Sequence, residues 1–352
     1  MSAPVVVQRA ALAGVRRAGL LRRRRYLLVS LTLGVALLAV SVTALTVGDF
    51  DLTPLDVLAA LAGQGDAGAM FVVVDLRLPR LLLAVLVGVA FALAGALFQS
   101  VLRNPLASPD IIGISQGASV GAVLAILGLG LTGPAVSGFA LVGALGTGLL
   151  LYAVAWRGGL AGFRFVLSGI GVAYMATSAI GYLLTRAGVQ EAQTALTWLT
   201  GSVGTAEWGA IRILVLELLV LVPAAVLLGP RLGILTMGDE TAAALGVHPE
   251  RVRLAVVGVG VCLAAVATAA VGPLAFVALT AAPIARRLLG DGTLGLLPSV
   301  LVGATLVVGA DLVAQHLVPG GIEVPAGIVT GIIGGPYLIW LLATSRRGGK
   351  VA

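Results

Sequence analysis

Residues 81–102, LLLAVLVGVAFALAGALFQSVL, carry no charge, and apolar runs of this length recur along the whole chain, separated by Gly, Pro and charge. About 20 such residues are what a helix needs to cross a hydrocarbon core of roughly 30 Å. A helix also satisfies its own backbone groups, which lipid cannot do. The alternation of a membrane barrel is absent, so the expectation is an all-α, polytopic membrane protein. Ten transmembrane helices are predicted, near 26–47, 80–102, 111–129, 134–155, 165–185, 210–228, 252–271, 273–289, 294–315 and 325–343. A water-soluble fold is excluded because 59% of the 352 residues are hydrophobic, more than a globule can hide.

Charge orients this bundle. With the N-terminus in the cytoplasm, 18 of the 22 basic residues fall on that side. These are seven arginines in the leading segment, then Arg103, Arg157, Arg164, Arg231, Arg251, Arg253, Arg286, Arg287, Arg346, Arg347 and Lys350. Only Arg77, Arg80, Arg186 and Arg212 fall outside, as the positive-inside rule requires. The net charge of +7 therefore reads as topology rather than as a nucleic-acid footprint. Drawing 252–289 as one helix would leave nine spans and strand the basic tail outside, so a break at Gly272-Pro273 is expected. The organisation is a basic cytoplasmic segment (1–25), a ten-helix transmembrane domain (26–345) and a basic cytoplasmic tail (346–352). No cleavable signal pattern follows the first span. A single cysteine, Cys262, forbids an internal disulfide.

Several chemistries lack their residues. The only lysine is Lys350, so a phosphate-binding GxxxxGK[ST] loop is impossible. His248, His316 and one cysteine offer no metal-ligand spacing. Ser168-Gly169 lacks the flanking pattern of a nucleophile elbow, and no span centre carries a histidine base. Proton-coupled transport would use buried carboxylates. Asp311 and Glu217 are the candidates, Asp311 reading more simply as a helix-end residue paired with a neighbouring donor.

Two stretches stand out. In FQSVLRNPLASPDIIGISQGASVGAV (98–123), two prolines and a polar cluster predict a tight turn, followed by Gly113, Gly117 and Gly121 spaced by four, a smooth face for close helix approach. TMGDETAAALGVHPERVR (236–253) concentrates charge in a chain with only 11% charged residues. Asp239 is placed as an N-cap, Gly246 after the C-terminus and Pro249 at the start of the next helix, giving a two-turn cytoplasmic helix.

These stretches, with LRLPRLLLAVLVG (76–88), LTWLTGSVG (196–204), GPLAFVAL (272–279) and EVPAGIVTGIIGGPYLIWLL (323–342), resemble the permease subunits of ATP-driven importers for ferric siderophores, haem and vitamin B12. The resemblance implies a type II importer permease in a bacterial inner membrane, not itself an enzyme. It implies two ATPase subunits carrying ATP and Mg, and a periplasmic or lipid-anchored binding protein. A second permease chain completes the pore, with a heterodimer favoured over a homodimer. LRNPLASPDIIG, MGDETAAALG and GGPYLIWLL look closest to ferric-enterobactin-type permeases, so ferric siderophore is preferred over haem or B12. By the same resemblance Asp239, Glu240, Leu245, Gly246 and Val247 couple to the ATPase. Asn104, Leu106, Gly162 and Phe163 form the cytoplasmic gate, and Arg77, Arg80 and Gln315 receive the binding protein. Gln99, Ser115, Gln116, Ser119, Thr177 and Ser178 line the pathway or bond neighbouring helices. The stretch Ala282-Pro283-Ile284-Ala285-Arg286 departs from the family's PHIAR or PQIAR, displacing the proline and losing a polar residue.

Overall fold

The computed structural model describes residues 3–155, 163–290, 293–317 and 323–345, and every regular element among them is a helix. In chain order these are α1 (Ala3–Thr46), α2 (Pro54–Leu61), α3 (Ala67–Met70), a π-helical segment (Phe71–Arg77), α4 (Leu78–Val101), α5 (Ile114–Val123), a second π segment (Leu124–Gly128), α6 (Pro134–Ala155), α7 (Phe163–Arg186), α8 (Val189–Thr200), α9 (Trp208–Leu235), α10 (Asp239–Ala244), α11 (Pro249–Val271), α12 (Val277–Leu289), α13 (Leu296–His316) and α14 (Ala326–Ser345).

Eight described helices are long and apolar enough to cross a membrane: 17–46, 67–101, 134–154, 166–186, 208–235, 249–271, 296–316 and 326–344. Two of the ten predicted spans are instead short helices. Ile114–Gly128 is one of them, and the 13-residue α12 is the other. The reason is local. A turn that includes Pro109, ahead of the third predicted span, runs on to Gly113 inside it, and Gly272 at φ +77° ends α11, leaving α12 to begin only at Val277. The expected break at Gly272 is present.

α4 is the centre of the bundle, packed against α9, α11, α12 and α13. Every residue from Ala90 to Val101 is buried. Lipid tails are as apolar as leucine, so burial alone does not bring such helices together; close packing through small residues does. A side chain on Gly95 would run into the Ala278 carbonyl, and one on Gly88 into the backbone of Gly303 and Ala304. Gly117 and Gly121 likewise lie against α6 at Gly143 and Phe139, as their spacing predicts. Gly113 precedes the helix at φ +90° and faces Gly169 and Ala173 of α7 instead.

Pro79 sits in a helix that runs on from α3 through the π segment. A π turn shifts the bonding to i→i+5, which accommodates a proline that lacks an N–H and crowds the preceding turn. Glu217 is half-buried on α9.

Candidate functional site

One end of α4 carries Arg80 and the other leads into Arg103, so the two charged ends of the molecule are fixed by one buried helix. At the Arg80 end, the guanidinium holds Asp311 of α13 by two bonds, Nε to Oδ2 and Nη2 to Oδ1, both 2.9 Å. Gln315, one turn on, donates to the same carboxylate at 2.7 Å, and Glu323 lies 3.5 Å from Arg80. Asp311 is thus a paired helix-end residue. Arg77 donates to the carbonyls of Leu45, Thr46 and Phe50 at 2.8–3.0 Å, fastening the end of α1. Of the candidate docking residues, Arg80 and Gln315 converge on one carboxylate while Arg77 stands apart.

At the opposite end lies α10. Its N-cap is Gly238, at φ +114°, rather than Asp239. Glycine takes the positive φ that this entry demands, and the Asp239 carboxylate is free to reach sideways. Arg253 of α11 grips it at 2.6 and 2.7 Å, and Arg103 approaches at 3.3 Å. The Arg253 hydrogen bond first, with the charges of both arginines, holds Asp239 below the usual carboxylate range. Gly246 at φ +77° follows the C-terminus and Pro249 opens α11, as predicted. Ala242 is the one buried residue of α10, whereas Glu240 and Leu245 face outward and Val247 is half-buried, donating to the Ala242 carbonyl at 2.9 Å.

Arg103 also donates to the Leu235 carbonyl at 2.7 Å. It thereby joins the end of α9 and α10 to the turn that holds Asn104 and Leu106. Asn104 Oδ1 accepts the Leu106 N–H at 2.9 Å, closing that turn. Gly162 and the Phe163 side chain lie outside the described residues, as does the 346–352 tail. Arg103 and Arg253 were not singled out from sequence. Their signal was present in the charge concentrated at 236–253, but their shared partner is 136 residues from Arg103.

Between the two ends a recess of about 490 Å3 opens among the α4–α5 turn, α5, α7, α12 and α14. Its polar lining includes Ser108, Asp110, Gln116, Tyr174 and Thr177. Asp110 accepts a short hydrogen bond from Ser115, and burial pushes its carboxyl up to about 6 against that bond. Gln116 Oε1 is buried without a partner. Phe276, at φ +66°, covers Gly334 and walls the recess. Such a φ is strained for an aromatic residue. Of the six candidate pathway residues, Gln116 and Thr177 line this space. Gln99 donates to the Leu279 carbonyl at 3.0 Å, and Ser119 and Ser178 donate to carbonyls one turn back in their own helices. No cluster of metal-ligating side chains occurs among the described residues.

Residues 36–344 match the FecCD transport family. The chain is 41% identical over 324 residues to the ferric enterobactin transport system permease protein FepG of Escherichia coli K12, covering 92% of this chain and 98% of that one. It is 37% identical over 328 residues to the Fe(3+)-citrate import system permease protein YfmE of Bacillus subtilis, covering 93% and 98%. A solved structure assigned to the metal-chelate type of ABC transporter, in an inward-facing conformation, superposes with a TM-score of 0.79 at 28% identity, covering 90% of this chain and 98% of that one. An all-helical bundle with eight membrane-length helices, matched along nearly its whole length, belongs to the FecCD transport family of membrane permeases.

Proposed function

We propose that this chain is the membrane subunit of an ATP-driven importer that passes a ferric siderophore from a periplasmic or lipid-anchored binding protein to the cytoplasm. The observation that carries this reading is the 41% identity to a ferric enterobactin permease across 98% of that protein. A chain with one lysine, at position 350, leaves ATP and Mg to two separate ATPase subunits. The short helices α5 and α12 bring the count to ten passes, with both termini cytoplasmic in a bacterial inner membrane. A second, different permease chain completes the pore.

Within this reading α10 is the contact to the ATPase, with Glu240 and Leu245 outermost and Asp239, Gly246 and Val247 holding its shape. Arg103 carries its displacement to the gate turn at Asn104 and Leu106, which closes against Gly162 and Phe163. The binding protein docks at the Arg77, Arg80 and Gln315 end. Because both arginines already spend N–H groups inside the chain, that surface attracts an acidic lobe less than two free arginines would. The Arg80–Asp311 pair also favours ATP-driven over proton-coupled transport, since a carboxylate held by two bonds is poorly placed to relay protons.

Deleting the gene should abolish uptake of radioiron supplied as ferric siderophore while leaving vitamin B12 uptake intact. Unchanged iron uptake with lost B12 uptake would overturn the substrate.

A further inference from the structure

Between the C-terminal ends of α12 and α14, a group of side chains is left over by both the transport reading and the packing. Arg286 lies near the C-terminal end of α12 and is only partly exposed. It donates to Gln99 Oε1 through a short hydrogen bond and, at 3.5 Å, to Ser100 Oγ. Both acceptors are neutral, and among the described residues no carboxylate pairs with it. Arg287, next in sequence and exposed, lies over the Trp340 ring of α14 at 4.1 Å and makes a long bond of 3.4 Å to Thr344 Oγ1. Tyr337 buries its hydroxyl with no hydrogen-bond partner. Its ring stands 5.6 Å from that of Trp340.

Donors therefore crowd the corner between α12 and α14, and acceptors are short. Carbonyls at the C-terminal end of α12 offset part of the positive charge. A partly buried guanidinium with neutral partners alone lacks a counter-ion among the described residues. We propose that this corner binds an oxyanion, and that the occupant is the phosphate headgroup of an anionic phospholipid. It contacts Arg287 at the lipid-facing edge, with the Arg286 charge behind it.

A lipid fits better than a protein carboxylate for two reasons. An exposed tryptophan stacked with an arginine is typical of the membrane–water interface. Exposed apolar side chains, Leu288 beside the arginines and Ile339 beside Trp340, offer contact to acyl chains. Basic pockets between membrane helices take such headgroups elsewhere. The site stands whatever the chain transports.

The test uses the full chain purified with its partners. Native mass spectrometry reads co-purified lipid, and melting is followed after addition of phosphatidylglycerol, phosphatidylcholine or inorganic phosphate. Phosphatidylglycerol should stay bound and raise the melting temperature, and phosphatidylcholine and phosphate should not. Arg287→Gln, at an exposed position where folding is not at risk, should weaken phosphatidylglycerol binding about fivefold. The double variant Arg286→Gln/Arg287→Gln should bind it no better than phosphatidylcholine. Equal stabilisation by the two lipids, or wild-type binding in Arg287→Gln, overturns the site. Equal stabilisation by inorganic phosphate overturns the lipid as occupant. Loss of a partner protein from Arg287→Gln with lipid binding intact would give the corner to a protein carboxylate instead.

Discussion

Asp110 sits where a loop residue has been drawn into the wall of a recess, and its proton is held more tightly than in an unfolded chain. Its carboxyl rises to about 6 because burial disfavours the charge more than Ser115 supports it. The side chains that share the recess, Ser108, Gln116, Tyr174 and Thr177 among them, bring no counter-charge. An acid whose folded pKa is raised favours the native state while protonated. Stability should therefore fall as pH rises from about 4, the unfolded value, to about 6, and level off above. Asp110→Asn should remove that slope, measured as melting temperature in detergent from pH 4 to 8. Sequence alone placed Asp110 in a polar turn and went no further, because its burial depends on α7 and α12, which are remote along the chain. Phe276 illustrates the same limit. The GPLAF stretch marks a break, but a positive φ on an aromatic residue becomes visible only with Gly334 of α14 beneath it.

The short helix α10 is the best-anticipated element, because its signals are local: a glycine at its end, a proline at the start of α11, and charge where the rest is apolar. What was misplaced is also instructive. Asp239 is a good N-cap by type, yet an arginine fourteen residues on binds it more strongly than the backbone would, and Gly238 takes the cap. Glu240 and Leu245 remain outside that network. Leu245→Asp should leave the amount of folded permease in the membrane within about twofold of wild type, since an exposed surface change rarely costs more than about 0.5 kcal/mol. It should nevertheless abolish the stimulation of ATPase by loaded binding protein. Arg103→Ala should spare that stimulation in part and lower siderophore delivery, as it cuts the tie between α10 and the turn at Asn104. ATPase and vesicle-uptake assays on the same preparations separate the two outcomes. The third and eighth predicted spans come out shorter than expected because residues 111–113 and 273–276 are as apolar as a span, although Gly113, Pro273 and the positive φ of Phe276 make them turns.

Across the molecule, the order of helices is readable from apolar runs and basic residues, while the centre is not. α4 lies in the most apolar of the membrane-length segments, but a helix facing lipid is as apolar as one buried among helices, so apolarity does not mark the central one. Its position follows from glycines at 88 and 95, whose faces admit α13 and α12. The Arg80–Asp311 pair then fixes α4 against α13 at one end, with side chains only 18% and 8% exposed. Removing one partner leaves a poorly solvated charge, so Asp311→Asn or Arg80→Gln alone should destabilise the bundle by roughly 3 kcal/mol. The double variant should cost less than the sum, read by chemical denaturation in detergent. Asp311 was correctly expected to be paired, but Arg80 was assigned to docking because a helix-start arginine gives no hint of a partner 231 residues away. The π segment before α4 bears on how sequences of this kind are aligned. A π turn holds roughly one residue more than an α turn, so a chain one residue shorter between α3 and Pro79 would show a gap there. That gap would look like a trimmed loop while the helix stayed unbroken, and everything upstream, α2 and the end of α1 included, would be rotated by about 100° about the α4 axis.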